Sequence, residues 1–175
     1  ELGKKVARKA VSRLGARVPK TRACPVVLEN HVAAEFLSLL APSFLVENTM
    51  KKKSLWGDAV GQLILSKHLT LVDSGLETHG ANAAPFDGEG VPARRSTVVE
   101  RGLLRTLLCD TYWGNKSRRT STGNARRGGS LSPPILSPTN FHIESGAWAP
   151  SRLCALTSGA KTRWPGPTKG WPAPR

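Results

Sequence analysis

The stretch that decides the fold reads PFDGEGVPARRSTVVERGLLRTLLCDTYWGNKSRRTSTGNARRG, from Pro85 to Gly128. It holds a β-branched run at 97–99 and an apolar run from Leu103 to Leu108, with Gly102 between them. Glycine can adopt the positive φ of a tight turn, so these two runs predict a β-hairpin. A Gly-rich acidic turn at 86–92 precedes the hairpin. The loop that follows, 120–128, is too poor in apolar side chains to be a strand or a helix.

Two helices are predicted before this stretch. Apolar residues recur at helical spacing from Leu2 to Leu14 among many bases, and Gly15 ends the pattern. We interpret this as a surface helix with a solvated basic face rather than one bound to nucleic acid or membrane. The second helix covers 31–40, is capped by Asn30 and ended by Pro42. We expect its buried face to consist of Val32, Phe36, Leu37, Leu39 and Leu40.

Further strands are predicted at 25–29, 69–73 and 141–144, with a loop at 44–53 and a helical turn at 110–116. The fold class is therefore α+β: one layer of mostly antiparallel strands with both helices packed on it. Residues 1–146 are expected to form this domain. The tail, 147–175, is rich in Pro, Trp and Arg and has no periodicity, so we expect it to be disordered.

The composition narrows the class of protein. The 175 residues carry a net charge of +14, but the bases are scattered in twos and threes, which favours a solvated surface over a nucleic-acid face. Three cysteines without a CxxC spacing argue against a disulfide framework and fit a reducing compartment. No apolar run reaches the length of about 18 residues that a membrane helix needs. We expect a cytoplasmic protein, and a fragment, because a helix follows Glu1 at once.

Four motifs in the central stretch resemble the C-terminal half of the TldD/PmbA family: FDGEGVPARR, VVERGLL, CDTYW and STGNARRG. DGEGVP and DTY resemble the PmbA (TldE) branch more closely. The flanking segments PVVLENHVAAEFLSLLAPSF at 25–44 and PTNFHIESG at 138–146 agree, so the resemblance covers residues 3–146. It implies a metalloprotease-type family, including proposed modulators of DNA gyrase, whose two branches pair as a cytoplasmic heterodimer. The tail has no counterpart; it is either out of frame or a genuine extension that binds a partner.

The resemblance also bears on metal binding. The TldD branch carries a zinc motif, HExxxH, in which two imidazoles hold the ion and a glutamate polarises water. Alignment on the preceding Val-Val-Leu places Glu29, Asn30 and Ala34 at those three positions. We therefore expect no zinc site and no catalytic residue in this chain, with zinc only in a partner subunit. His31 and Glu35 are interpreted as a surface pair.

No other catalytic motif is present. The sequence lacks a GxSxG nucleophile motif, and Cys109 is interpreted as a small core residue at the end of an apolar strand. Asp87 and Glu89 are expected to shape the acidic turn and to pair with Arg94 or Arg95. Arg126 and Arg127 are candidates for contact with a peptide carboxylate or with an acidic patch of a partner. We name Asp87, Glu89, Arg126 and Arg127 as possible cleft or partner contacts.

The leading hypothesis, which rests on the resemblance, is a PmbA/TldE-like subunit that lacks the zinc motif. It would help to form a peptide cleft beside a TldD-like, metal-bearing partner, and would not hydrolyse peptides by itself. One alternative is a basic nucleic-acid-associated protein, although we do not expect nucleic acid or membrane as a partner. Another is a truncated product without function.

Overall fold

The computed structural model describes residues 1–16, 20, 21, 23 and 26–147. The chain divides into two units: the second is 28–147, and the described part of the first lies within 1–27. In the first unit the described element is helix α1, Leu2–Val11, which ends before the predicted Leu14. None of its residues is buried, so its apolar side chains are exposed together with its basic ones.

The second unit contains three helices and six strands among its described residues. The helices are α2, Asn30–Leu40, α3, Val46–Met50, and α4, Thr111–Ser117, with a 3-10 turn at Ala41–Phe44. The strands are β1 Leu71–Ser74, β2 Arg95–Glu100, β3 Leu103–Leu104, β4 Ala125–Arg126, β5 Ile135–Leu136 and β6 Phe141–Ile143. Within the described part of the chain, no helix is long and apolar enough to cross a bilayer.

The strands form two antiparallel sheets. The larger has the order β3-β2-β1-β6, and the smaller pairs β4 with β5. The predicted α+β class with mostly antiparallel strands is confirmed. A two-residue strand, β4, lies in the segment 120–128 that we predicted to be a loop, so that part of the prediction is wrong. This segment has few apolar side chains, and β4 forms through backbone pairing with β5.

The predicted hairpin is β2 and β3, in which Val99 faces Leu104 across the strands. Its turn residues, Arg101 and Gly102, have φ values of 47° and 81°, the pair of positive angles that suits a two-residue hairpin turn. A Cβ at Gly102 would lie 2.3 Å from the Leu65 carbonyl oxygen, so this position requires glycine. Beyond β3, Leu108 pairs with another segment of the chain.

That segment is the one we predicted as a loop, 44–53, and the prediction is wrong. The amide of Leu108 donates to the Phe44 carbonyl at 2.9 Å, and the amide of Val46 donates to the Leu108 carbonyl at 2.9 Å. These bonds fix the start of α3, and Val46 is buried. The core lies here: the Phe44 ring stacks on Trp56 at 4.6 Å between centroids and lies 5.7 Å from Phe141.

Helix α2 differs from its prediction in two ways. Its N-cap is Glu29 and not Asn30, which is the first helical residue, and the described part of the predicted strand, 26–29, is irregular. Leu37 and Leu40 pack against the core, but Phe36 and Leu39 are 59% and 78% exposed. The prediction that these two are buried is wrong. Among the described residues α2 makes its main contacts with the 3-10 turn and the edge strand β6, and it is Leu37 and Leu40 that pack against the core.

Candidate functional site

The second unit contains a cleft of about 280 Å³ that is lined mainly by small residues. Glycines and alanines from 75–93 and 123–125 form most of its wall, with Thr139 beside them. Three of the four predicted contact residues line it, namely Asp87, Arg126 and Arg127. The small side chains leave room for an extended ligand to approach the backbone closely.

Asp87 holds the acidic turn closed from within. Its Oδ1 accepts from the amides of Glu89 and Val91, both at 2.9 Å, and its Oδ2 accepts from the Ala125 amide at 3.1 Å. The carboxylate thus joins the turn to β4. The expectation that Asp87 and Glu89 pair with Arg94 or Arg95 is wrong: among the described residues neither acid forms an ion pair with either arginine, and Arg95 pairs with Glu144 instead.

Glu89 points to the other side of the turn, toward α4. Its Oε2 accepts from the Thr111 amide at 2.8 Å, one of the free amides at the start of that helix. Asp110 caps the same helix, since its Oδ1 accepts from the Trp113 amide at 2.7 Å. Burial raises the pKa of Asp110, and the nearby negative charge of Glu89 adds to the rise. Glu89 therefore secures the turn to α4 and does not line the cleft.

The two arginines of β4 and its loop differ in their contacts. Arg127 donates from Nε to the Gly88 carbonyl at 2.7 Å and from Nη1 to the Ser132 carbonyl at 2.9 Å. Its side chain thereby ties the acidic turn to the 129–132 loop. Arg126 is exposed, and its guanidinium has no hydrogen-bond or ion-pair partner within the described ranges. It is the cation at the cleft that remains available to a ligand.

A buried polar network, made of Asp73, Asn124 and Thr139, holds the cleft wall. Asp73 Oδ2 accepts from Asn124 Nδ2 at 2.7 Å and from the Thr139 hydroxyl at 2.8 Å, while Oδ1 accepts from the Thr139 amide at 2.8 Å. Asp73 and Asn124 are each only 2% exposed. The network joins β1, the end of the STGN loop and the entry to β6, and Thr139 itself lines the cleft.

Sequence reasoning missed this network. Burial raises the pKa of Asp73 above its ordinary value, although hydrogen bonds from Asn124 and Thr139 and the charge of His142 oppose the rise. An acidic residue within the apolar strand LTLVD was the available signal, because a buried carboxylate requires donors. The sequence did not reveal which residues supply them.

Cys109 is 1% exposed and its Sγ lies 3.2 Å from the Thr120 carbonyl oxygen. Burial raises the pKa of its thiol. Its interpretation as a small core residue is confirmed, although it lies beyond β3 and not at the end of a strand. A thiol with a raised pKa is a poor nucleophile, so this residue suits packing.

The position of the zinc motif does not fit the metal. Glu29, Asn30 and Ala34 are all exposed, and Ala34 has no donor atom. Asn30 Oδ1 accepts from the His31 amide at 2.8 Å, and His31 Nδ1 lies 3.6 Å from Glu29 Oε2. The surface partner of His31 is therefore Glu29 and not the predicted Glu35. Among the residues that the structure describes, no group of three or more His, Cys, Asp and Glu side chains is placed to hold a metal ion.

A protein family, several sequence relatives and several solved structures each match part of this chain. The PmbA/TldA metallopeptidase C-terminal domain matches residues 21–160. The metalloprotease PmbA of Escherichia coli O157:H7 is 31% identical over 124 residues, which are 71% of this chain and 28% of that protein. The chain spans about three-tenths of the length of the curated relatives it matches.

Two solved structures resemble the fold. A proposed modulator of a DNA gyrase from Thermotoga maritima matches with a TM-score of 0.78 and 26% identity, over 86% of this chain and 34% of that one. TldE from Thermococcus kodakarensis matches with a TM-score of 0.57 and 29% identity, over 61% of this chain and 24% of that one. The family match begins and ends later than the 3–146 that we assigned from the motifs, and the boundary of the tail stays a prediction.

Proposed function

Because this chain belongs to the PmbA/TldA metallopeptidase family through its C-terminal domain, we propose that it is part of a PmbA/TldE-like subunit without a zinc site of its own. In this proposal it forms one wall of a peptide cleft in a cytoplasmic heterodimer. A TldD-like partner supplies the zinc, which activates water for peptide hydrolysis.

The observation that carries the proposal is the donor chemistry at the start of α2. Zinc in a hydrolase needs three protein ligands from Cys, His or carboxylate groups, usually with a further carboxylate as the base. At the three positions of the motif this chain offers one carboxylate, one amide and one methyl group. His31 and Glu29 form a pair at the surface. Among the described residues no third His, Cys, Asp or Glu side chain is close enough to this pair to complete a metal site.

The cleft supports the peptide-binding part of the proposal. Its wall of small residues admits an extended chain, and Arg126 offers to a carboxylate an exposed guanidinium that has no partner among the described residues. Asp87 and Arg127 shape the cleft, because their side chains bind backbone groups of the protein itself. In this division of roles Arg126 contacts the ligand and the other two residues keep the wall in place.

The test is reconstitution with a TldD-type subunit. We expect peptide hydrolysis by the mixture and none by this chain alone. Arg126→Glu should raise the KM about fivefold for a peptide with a free C-terminal carboxylate, at unchanged kcat, because an exposed ion pair contributes up to about 1 kcal/mol. An amidated peptide should be insensitive to the substitution.

Lys67→Glu is the matched control, since Lys67 is exposed, does not line the cleft and undergoes the same change of charge. Peptide hydrolysis by the isolated chain would contradict the proposal that a partner subunit supplies the zinc. Equal KM values for Arg126→Glu, Lys67→Glu and the unaltered chain would instead remove Arg126 from the peptide contacts.

A further inference from the structure

The second unit has a basic–aromatic surface, formed by residues 51–53 and 112–119, where α3 packs against α4. In the sequence these bases look scattered, because they belong to two clusters far apart along the chain. The fold brings both clusters to the same indole ring. Lys51 Nζ and Lys116 Nζ each lie 5.2 Å from the centroid of the Trp113 ring.

The aromatic residues of this surface are ordered by their neighbours. Tyr112 and Trp113 meet edge to face at 5.2 Å between centroids, and Lys116 Nζ lies 4.7 Å from the Tyr112 centroid. Such cation–π contacts hold the ammonium groups beside the rings while leaving their other sides in water. Tyr112 is 55% exposed, so part of its ring faces solvent.

The charge of the surface is almost entirely positive. It carries six lysines and arginines, all exposed, and within the part of the chain that the structure describes only Lys51 forms an ion pair, with Glu47 at 2.5 Å. Asp110, which lies next to the surface, is buried and caps α4. Lys51 and Arg118 occupy the C-caps of α3 and α4, where a cation is favoured, but that accounts for two of the six bases.

We propose that this basic–aromatic surface binds single-stranded nucleic acid. The ammonium and guanidinium groups would meet successive phosphates and release their counterions, and Tyr112 would stack on an unpaired base. An exposed ring favours a single strand over a duplex, because the base faces of a duplex are already stacked. The proposal concerns residues outside the cleft and does not depend on the role of the cleft.

The experiment uses the full chain and a fluorescein-labelled thymidine oligonucleotide of about 20 nucleotides, with anisotropy measured from about 50 to 200 mM salt. Affinity should fall steeply with salt, by about 0.7 in the log–log slope for each phosphate neutralised. Lys53→Glu/Lys116→Glu should weaken binding about tenfold or more. The double variant Lys67→Glu/Arg94→Glu, with the same change of net charge elsewhere, should change it about twofold at most.

Tyr112→Ala should weaken binding by between about fivefold and a hundredfold through lost stacking, and Tyr112→Phe should restore it. Circular dichroism of each variant shows whether the fold is kept. Equal losses in the two charge-reversal variants would overturn the proposal in favour of diffuse attraction by the net charge. Unchanged affinity of Tyr112→Ala, or competition by an oligoglutamate as strong as by DNA of equal charge, would overturn it in favour of an acidic protein partner.

Discussion

The start of α2 and the wall of the cleft are built in opposite ways. At the start of α2, where the resemblance to the TldD branch places the zinc motif, Glu29, Asn30 and Ala34 are exposed, and Glu29 lies 3.6 Å from its near neighbour His31. At the wall of the cleft, Asp73 and Asn124 are 2% exposed and join three distant segments. The difference is that the start of α2 consists of exposed side chains, whereas the wall of the cleft is held by buried hydrogen bonds between segments far apart in sequence.

The first pair of substitutions tests whether the stability of the second unit depends on its core more than on the exposed face of α2. Phe44→Ala removes a fully buried ring that contacts Trp56 and Phe141, and should lower the free energy of unfolding by about 3–5 kcal/mol. Phe36→Ala in α2 is the control and should change it by less than about 0.5 kcal/mol. Urea denaturation measures both, and losses of similar size would contradict the contrast.

A smaller effect is expected from the polar network. Asp73→Ala leaves the buried donors of Asn124 and Thr139 without an acceptor, and should cost about 3 kcal/mol of stability. Asp58→Ala is the matched control, because Asp58 is exposed, and should be near neutral. If Asp73→Ala were as stable as the control, the network would not be what holds the wall.

The hairpin and this network show how far the sequence predicts the molecule. The hairpin was predicted because both strands and their Gly102 turn are adjacent in the chain and local geometry decides them. The network was not, because Asn124 and Thr139 reach Asp73 only after the strands have paired. Periodicity likewise showed which residues share a face of α2, but it does not show whether that face meets a partner.

The contacts of the cleft residues also depend on segments that are far apart in sequence. Motifs pointed to Asp87, Glu89, Arg126 and Arg127 as one group. The sequence could not separate the three side chains that bind backbone groups of other residues from that of Arg126, which has no such partner among the described residues. That separation depends on where the turn meets β4 and α4. It is decided by hydrogen bonds between segments that lie far apart in sequence.

A third effect concerns pH, and its sign follows from the raised pKa of Asp73. Since the folded pKa lies above the unfolded one, the folded state binds more protons between the two values. Stability should therefore fall as the pH rises from about 4 through the folded pKa of Asp73. Asp73→Asn should remove that part of the slope in urea titrations repeated across this window. An identical pH profile for Asp73→Asn and the unaltered chain would show that burial does not govern this carboxyl.

The proposal that this chain has no zinc site is tested by its zinc content after exposure to zinc and dialysis, measured on the isolated chain by inductively coupled plasma mass spectrometry. We expect far less than one zinc per chain at neutral pH, because Glu29 and Asn30 offer one carboxylate and one amide and Ala34 offers no ligand. One zinc per chain, lost on Glu29→Gln or His31→Ala but kept on the exposed control His68→Ala, would contradict it.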